Sequence, residues 1–175
     1  MSGGRIVGPA ITLISLLFGG GGALAGNEPA PSTNAVWRAP LARAATALAQ
    51  GDARAAEGAW EEAFRMVMAS RAPQGLLDIG YAYVQIGEAR HDRLAALPRA
   101  RQLFLSALFQ ARGRRDANGA AAAAEAFASL GDREVTDRAC DIALSLAFQT
   151  GDQHALARVA ALRARLWSAR RAGGP

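Results

Sequence analysis

Gly-Asp occurs at positions 51–52, 131–132 and 151–152, and Gly-Glu at 87–88. Each pair closes one run rich in Ala, Leu, Arg and Glu and opens another. Glycine just past a helix end accepts the left-handed conformation, and an acidic residue after it can cap the next helix. From about residue 39 onward there is no sustained alternation of apolar and polar residues and no β-branched run, so no strand is expected. A chain punctuated this way is confined to helices joined by tight turns, with sequence neighbours antiparallel. The expected fold class is all-α.

Reading between these marks predicts helices over 39–50, 53–70, 74–86, 98–111, 117–130, 133–149 and 153–170. Pro98 suits the first turn of the fourth helix, where a missing N–H goes unnoticed. The preceding stretch "ARHDRLAAL", 89–97, then reads as an inserted loop. Arg170 and Arg171, followed by Gly173, Gly174 and Pro175, read as a C-terminal stop. Gly51 to Gly87 spans 36 residues and Gly87 to Gly131 spans 44. The first interval lies near a helix–turn–helix period of about 34 residues, and the second does once the insertion is allowed for.

The stretch "LDIGYAYVQIGEA", 77–89, carries Gly80 in mid-helix, where glycine costs about 1 kcal/mol relative to alanine. The positions around it resemble the first helix of the tetratricopeptide repeat family. Leu77, Ile79, Gly80, Ala82, Tyr83 and Gly87 follow that family's order of large, large, small, small, aromatic and turn glycine. "RARQLFLSAL" is similar to the second helix, with Ala100, Phe104 and Ala107 on its small–aromatic–small positions. In the first repeat Ala44, Ala47 and Gly51 are followed by Ala56, Trp60 and Ala63. In the third, Ala124, Ala126, Phe127 and Gly131 are followed, in a shifted register, by Ala139, Ala143 and Ala147. On this resemblance Ala44, Gly80 and Ala124 are equivalent small sites that let the second helix of each pair approach the first.

The resemblance implies an α-solenoid of about three repeats plus a C-terminal capping helix, over residues 38–172. It also implies a groove for a protein or peptide, lined by the first helix of each pair. Matched by position, the groove residues are Arg38, Leu41 and Ala45, then Gln74, Leu77, Tyr81, Val84 and Gln85, then Asn118, Ala121, Glu125 and Ser129. Tyr81 and Gln85 are the strongest candidates. Trp60, Phe64, Phe104, Phe109, Phe127 and Phe148 fall at helical spacing and are expected in the core. Trp37 and Trp167 are expected to cover the ends of the array.

The first 25 residues differ from the rest. Arg5 precedes an apolar run densest from Ile11 to Phe18, and Ala23-Leu24-Ala25 offers small residues for cleavage. This is the pattern of a secretory signal peptide, and the glycines at 19–22 weaken the alternative of a retained membrane anchor. A polar, proline-rich lead over 26–37 and a short tail at 173–175 complete the expected organisation. The expected location is the periplasm or the exterior, with an inner-membrane anchor facing the periplasm as the alternative.

Function classes are narrowed by what accompanies the helices. The chain has 175 residues, of which 51% are hydrophobic, enough for one packed domain. Its net charge is +5 and every strong base is an arginine, with acidic residues interspersed. His91 and His154 have no ligand partners at metal-binding spacing, so neither a metal nor a cofactor is expected. The serines lie on helices without a nucleophile-elbow pattern, and Glu61 and Glu62 point apart, so no catalytic group emerges. Cys140 has no partner for a disulfide and sits in an apolar helical pattern, as a buried structural thiol would.

Arg112, Arg114 and Arg115 form the densest basic stretch, and Arg158 and Arg165, two turns apart, share a face of the last helix. Without a reading module, nucleic acid is not an expected partner. A membrane is expected only if the N-terminal segment is uncleaved. The leading expectation is a non-enzymatic scaffold or adaptor in a cell-envelope or secretion process. The alternative is an accessory subunit whose arginine-rich surface meets an anionic envelope polymer or membrane.

Overall fold

The computed structural model describes residues 35–172, so the expected signal peptide, most of the expected lead and the expected tail lie outside the described residues. Seven helices make up this part: α1 Arg38–Ala49, α2 Ala53–Ser70, α3 Pro73–Ala89, α4 Arg93–Gly113, α5 Ala117–Leu130, α6 Arg133–Thr150 and α7 Gln153–Ala172. No strand occurs among the described residues. The all-α class and the antiparallel hairpins are as expected. Ala35 and Trp37 are buried against the domain, so it begins before the expected boundary at residue 38.

Five of the six turns between the described helices share one device. Gly51, His91, Arg115, Gly131 and Gly151 are left-handed, with φ of 78°, 56°, 56°, 78° and 72°, and each precedes an aspartate. The N–H of that aspartate reaches back to the carbonyl five residues earlier. The pairs are Asp52 to Ala47 at 2.9 Å, Asp92 to Gly87 at 2.8 Å, Asp116 to Ala111 at 2.9 Å, Asp132 to Phe127 at 3.2 Å and Asp152 to Ala147 at 3.0 Å. These bonds close the last turn of the preceding helix. The carboxylates of Asp52, Asp116, Asp132 and Asp152 then accept from the N–H groups of Ala55, Gly119, Val135 and Ala155, capping the next helix.

Two expectations fail here, for one reason. Gly87-Glu88 is not a turn: Gly87 lies buried inside α3, and the turn falls at His91-Asp92. The stretch 89–97 is not a loop, because α4 starts at Arg93, and Pro98 lies inside that helix instead of in its first turn. A β-carbon on Gly87 would stand 2.6 Å from the Ala96 methyl, so the first turn of α4 packs directly on α3. Ion pairs from Arg93 to Glu88 and from Arg90 to Glu57, both at 2.8 Å, fasten the same corner. Pro98 leaves the Leu94 carbonyl without an intrahelical donor. Leu94 is exposed, so water can serve that carbonyl.

With the turn placed at Asp92, the helix pairs fall into one register. Asp52, Asp92 and Asp132 stand forty residues apart. So do the buried triplets Trp37/Leu77/Ala117, Pro40/Gly80/Ala120, Ala47/Gly87/Phe127, Trp60/Ala100/Cys140 and Val67/Ala107/Ala147. Gly80 therefore aligns with Pro40 and Ala120, whereas Ala44 and Ala124 align with Val84. Gly80 does have the expected close neighbour: a β-carbon there would lie 2.3 Å from Cε1 of Phe104 on α4. At Gly75 it would meet Val67 of α2 at 2.8 Å and Trp37 at 3.1 Å. Helix α3 is thus clasped on two sides through its glycines.

Each helix packs on the next in the chain. Beyond that, α1 touches α3, α3 touches α5 and α5 touches α7, while among the even helices only α4 and α6 meet. The odd helices close ranks and the even helices splay, which puts the odd helices on the inner side of the curvature. Trp60 joins the layers, its indole N–H donating to the Ile79 carbonyl at 2.7 Å. Trp60, Phe104 and Phe127 are buried as expected and Phe64 is half-buried. Phe109 and Phe148 are instead exposed, because they crown the outer ridges of α4 and α6. Trp37 covers the first end of the array, but Trp167 does not cover the other: it is exposed, with the Arg171 guanidinium 5.3 Å from its ring centre.

Candidate partner-binding face

Along the inner side, polar side chains bridge successive odd helices. The Trp37 indole N–H, just before α1, donates to Asp78 of α3 at 3.0 Å. Gln74, one turn before Asp78, donates to the other oxygen of the same carboxylate at 2.8 Å. Tyr81 follows on the same side of α3, 38% exposed, its ring 5.0 Å from that of buried Phe104. Its hydroxyl meets Ser129 and feels the charges of Glu125, Arg158 and Asp78. Burial raises the Tyr81 pKa above the usual tyrosine value, Ser129 and Arg158 pull it back, and the two carboxylates add to the rise.

From α5 the bridge continues to α7. Glu125 receives Arg158 through two bonds, at 2.7 Å and 3.4 Å, with both side chains about 30% exposed. A further Arg158 N–H reaches the Asn118 carbonyl at 3.5 Å. The Asn118 amide donates to Asp152 at 2.5 Å, and its oxygen lies 2.8 Å from Nδ1 of His154. The hydroxyl of Ser129 donates to the Ala126 carbonyl at 2.7 Å. The result is a face on which Glu125 and Arg158 match each other and the Tyr81 phenol and Gln85 amide stand exposed.

The expected groove residues divide on inspection. Arg38, Gln74, Tyr81 and Gln85 are exposed, and Val84 is half-buried against the core. Asn118 and Glu125 stand on the face, but their polar groups already hold α7 to α5. Leu77 and Ala121 are each 1% exposed and belong to the core, so neither can touch a partner. Leu41 is half-buried, while Ala45 and Ser129 are exposed. Asp78 and His154 were missed, although Asp78 falls one turn after Gln74 and before Tyr81, a spacing visible in the sequence.

The expected basic surface does not form one patch. Arg158 belongs to the inner face through Glu125, and Arg165 is exposed two turns further along α7. Arg112 and Arg115 instead line a cleft of about 520 Å³ against Asp141, Ile142, Ser145, Leu146 and Gln149 of α6. Arg114 turns back to donate to the Arg71 carbonyl at 2.5 Å. Cys140 is fully buried and free of any disulfide, and burial pushes its thiol pKa up, as a structural cysteine requires.

Among the described residues no helix is long and apolar enough to cross a membrane. No protein family matches this chain, and no curated protein or solved structure is detectably similar to it.

Proposed function

We propose that this chain is a non-enzymatic scaffold that holds a protein or peptide partner along its inner, odd-helix face. It acts in a cell-envelope or secretion process after export. The observation that carries the reading is the position of Tyr81. A large amphipathic side chain stands 38% exposed in the middle of the face, backed by buried Phe104 and flanked by exposed Gln74 and Gln85. Aromatic anchors with a polar tip, surrounded by matched polar groups, are what interface hot spots are made of.

The likeness of residues 77–107 to the tetratricopeptide family supports the same reading, since such arrays bind partners in the groove of their first helices. This chain departs from that family in its spacing, forty residues between turns against about 34 in the family. The interval is the same across α2 and α3 as across α4 and α5, so the extra residues are shared by the repeats.

The face carries little unmatched charge, because Glu125 and Arg158 satisfy each other and the Asp78 carboxylate, though still negative, is hydrogen-bonded by Trp37 and Gln74. A partner held here meets hydrogen-bonding amides and an aromatic ring, so its binding persists in moderate salt. Tyr81→Ala combined with Gln85→Ala tests the assignment. Both sites are exposed, so the fold survives while partner binding falls at least tenfold, as loss of a hot spot predicts. Unchanged co-purification of the partner with the double variant contradicts it.

A further inference from the structure

The inner face leaves a second surface unexplained, at the edge where α2, α4 and α6 end. Near the end of each of these helices one large apolar side chain stands in solvent: Met68 at 52%, Phe109 at 58% and Phe148 at 73% exposure. The core does not use them. The same edge carries Arg71, Arg112, Arg114 and Arg115. Arg114 bonding to the Arg71 carbonyl ties the α4–α5 turn to the α2–α3 turn, and the cleft shared by Arg112, Arg115 and Gln149 brings in the end of α6.

The charges of the two edges differ. At the opposite edge most arginines are matched, Arg90 with Glu57, Arg93 with Glu88, Arg101 with Asp132 and Arg138 with Glu134, while Arg54 and Arg133 stand outside an ion pair among the described residues. Among the described residues none of Arg71, Arg112, Arg114 and Arg115 forms an ion pair. The acids on their edge, Asp116 and Asp152, are engaged as helix caps, and Asp141 on α6 pairs with Arg163. Unmatched guanidinium groups and protruding apolar tips therefore share one edge.

We infer that this edge rests on an anionic lipid bilayer surface. A soluble polyanion would match the arginines but leave Met68, Phe109 and Phe148 in water. The headgroup region of a bilayer takes both, arginines at the phosphates and apolar tips at the acyl boundary. Contact through this edge leaves Tyr81 and the inner face open to a partner. It also requires no spanning segment, so it is independent of the fate of the N-terminal apolar run.

Hydroxyl-radical footprinting of the full-length protein, read by mass spectrometry, tests the contact separately from any binding through the N-terminus. With phosphatidylglycerol-rich vesicles, oxidation of Met68, Phe109 and Phe148 should fall several-fold, while Leu94, 79% exposed at the opposite edge, reacts as before. Pure phosphatidylcholine vesicles should give no such protection. Arg112→Glu with Arg115→Glu should abolish it. Arg54→Glu with Arg133→Glu, the same charge change at the opposite edge, should preserve it, with circular dichroism confirming the fold of each. Vesicle-bound protein whose Met68, Phe109 and Phe148 stay fully reactive would overturn the inference. So would equal protection by neutral vesicles, equal loss in both charge variants, or protection by soluble polyphosphate but not by vesicles.

Discussion

Gly80 of α3 and Phe104 of α4 are packed so closely that a β-carbon on the glycine would lie 2.3 Å from the ring. The ring has little room to retreat, since Tyr81 stands 5.0 Å from it on one side and Phe127 is 6.0 Å away, edge-on. Gly80→Ala gains about 1 kcal/mol of helix propensity but overpacks a fully buried contact at a cost of about 1–3 kcal/mol, so it should destabilise by a net of up to about 2 kcal/mol. Gly80→Leu should be far worse. Chemical denaturation measures both, and Phe104→Leu should restore part of the loss in the Gly80→Ala background. Equal stability of Gly80→Leu and the parent protein contradicts the packing.

The turns make a prediction of opposite sign. His91 and Arg115 occupy a left-handed conformation that Gly51, Gly131 and Gly151 adopt without strain. Each of His91→Gly and Arg115→Gly should therefore stabilise the fold by about 0.5–1 kcal/mol, while Gly131→Ala should cost a similar amount. Gly58, in mid-α2 with open space around it, serves as the control: Gly58→Ala should stabilise by about 1 kcal/mol. Thermal melts of the four variants decide. A destabilised His91→Gly would mean that the imidazole does something the turn geometry does not require.

Tyr81 reports on the charges of the inner face. Its folded pKa is raised above the ordinary 10.0 chiefly by burial, so the native state keeps the phenol proton to higher pH than the unfolded chain does. Its contribution to stability is complete below about pH 10 and is lost as pH climbs through the folded value. The difference titration between the parent protein and Tyr81→Phe, followed by phenolate absorbance, should have its midpoint above 10.0. Removing Arg158 should move that midpoint further up, and Glu125→Gln should move it down. A midpoint indifferent to both would separate Tyr81 from the ion pair.

Much of this architecture is legible in the residues, and the exceptions have physical causes. Helix ends with Gly-Asp were readable because both residues match the left-handed cap and the N-cap that follows. His91-Asp92 makes the same turn with a residue that pays strain, so nothing marks it, and Gly87-Glu88 four residues earlier mimics it. That one displacement hid the forty-residue register, as did the unequal sizes within it: Trp60, Ala100 and Cys140 fill one buried position, and Trp37, Leu77 and Ala117 another. Helical spacing put Phe109 and Phe148 with the core aromatics, but spacing alone does not say which way a ridge points when the even helices splay. Leu77 and Tyr81 are four residues apart on α3, and only packing shows that one is buried and the other open. Arg158 looked like part of a basic patch because its carboxylate lies 33 positions away, on another helix.

The central claim is that the inner face holds a partner, and site-specific photo-crosslinking in the producing cell tests it most directly. A photoreactive residue at Tyr81 or Gln85 should capture a discrete partner, whereas the same residue at Glu61, exposed on the outer ridge of α2, should not. The crosslink should survive moderate salt, since the contact is not made by unmatched charge. Capture from Glu61 with none from Tyr81 or Gln85 would contradict the claim and place the partner on the outer face.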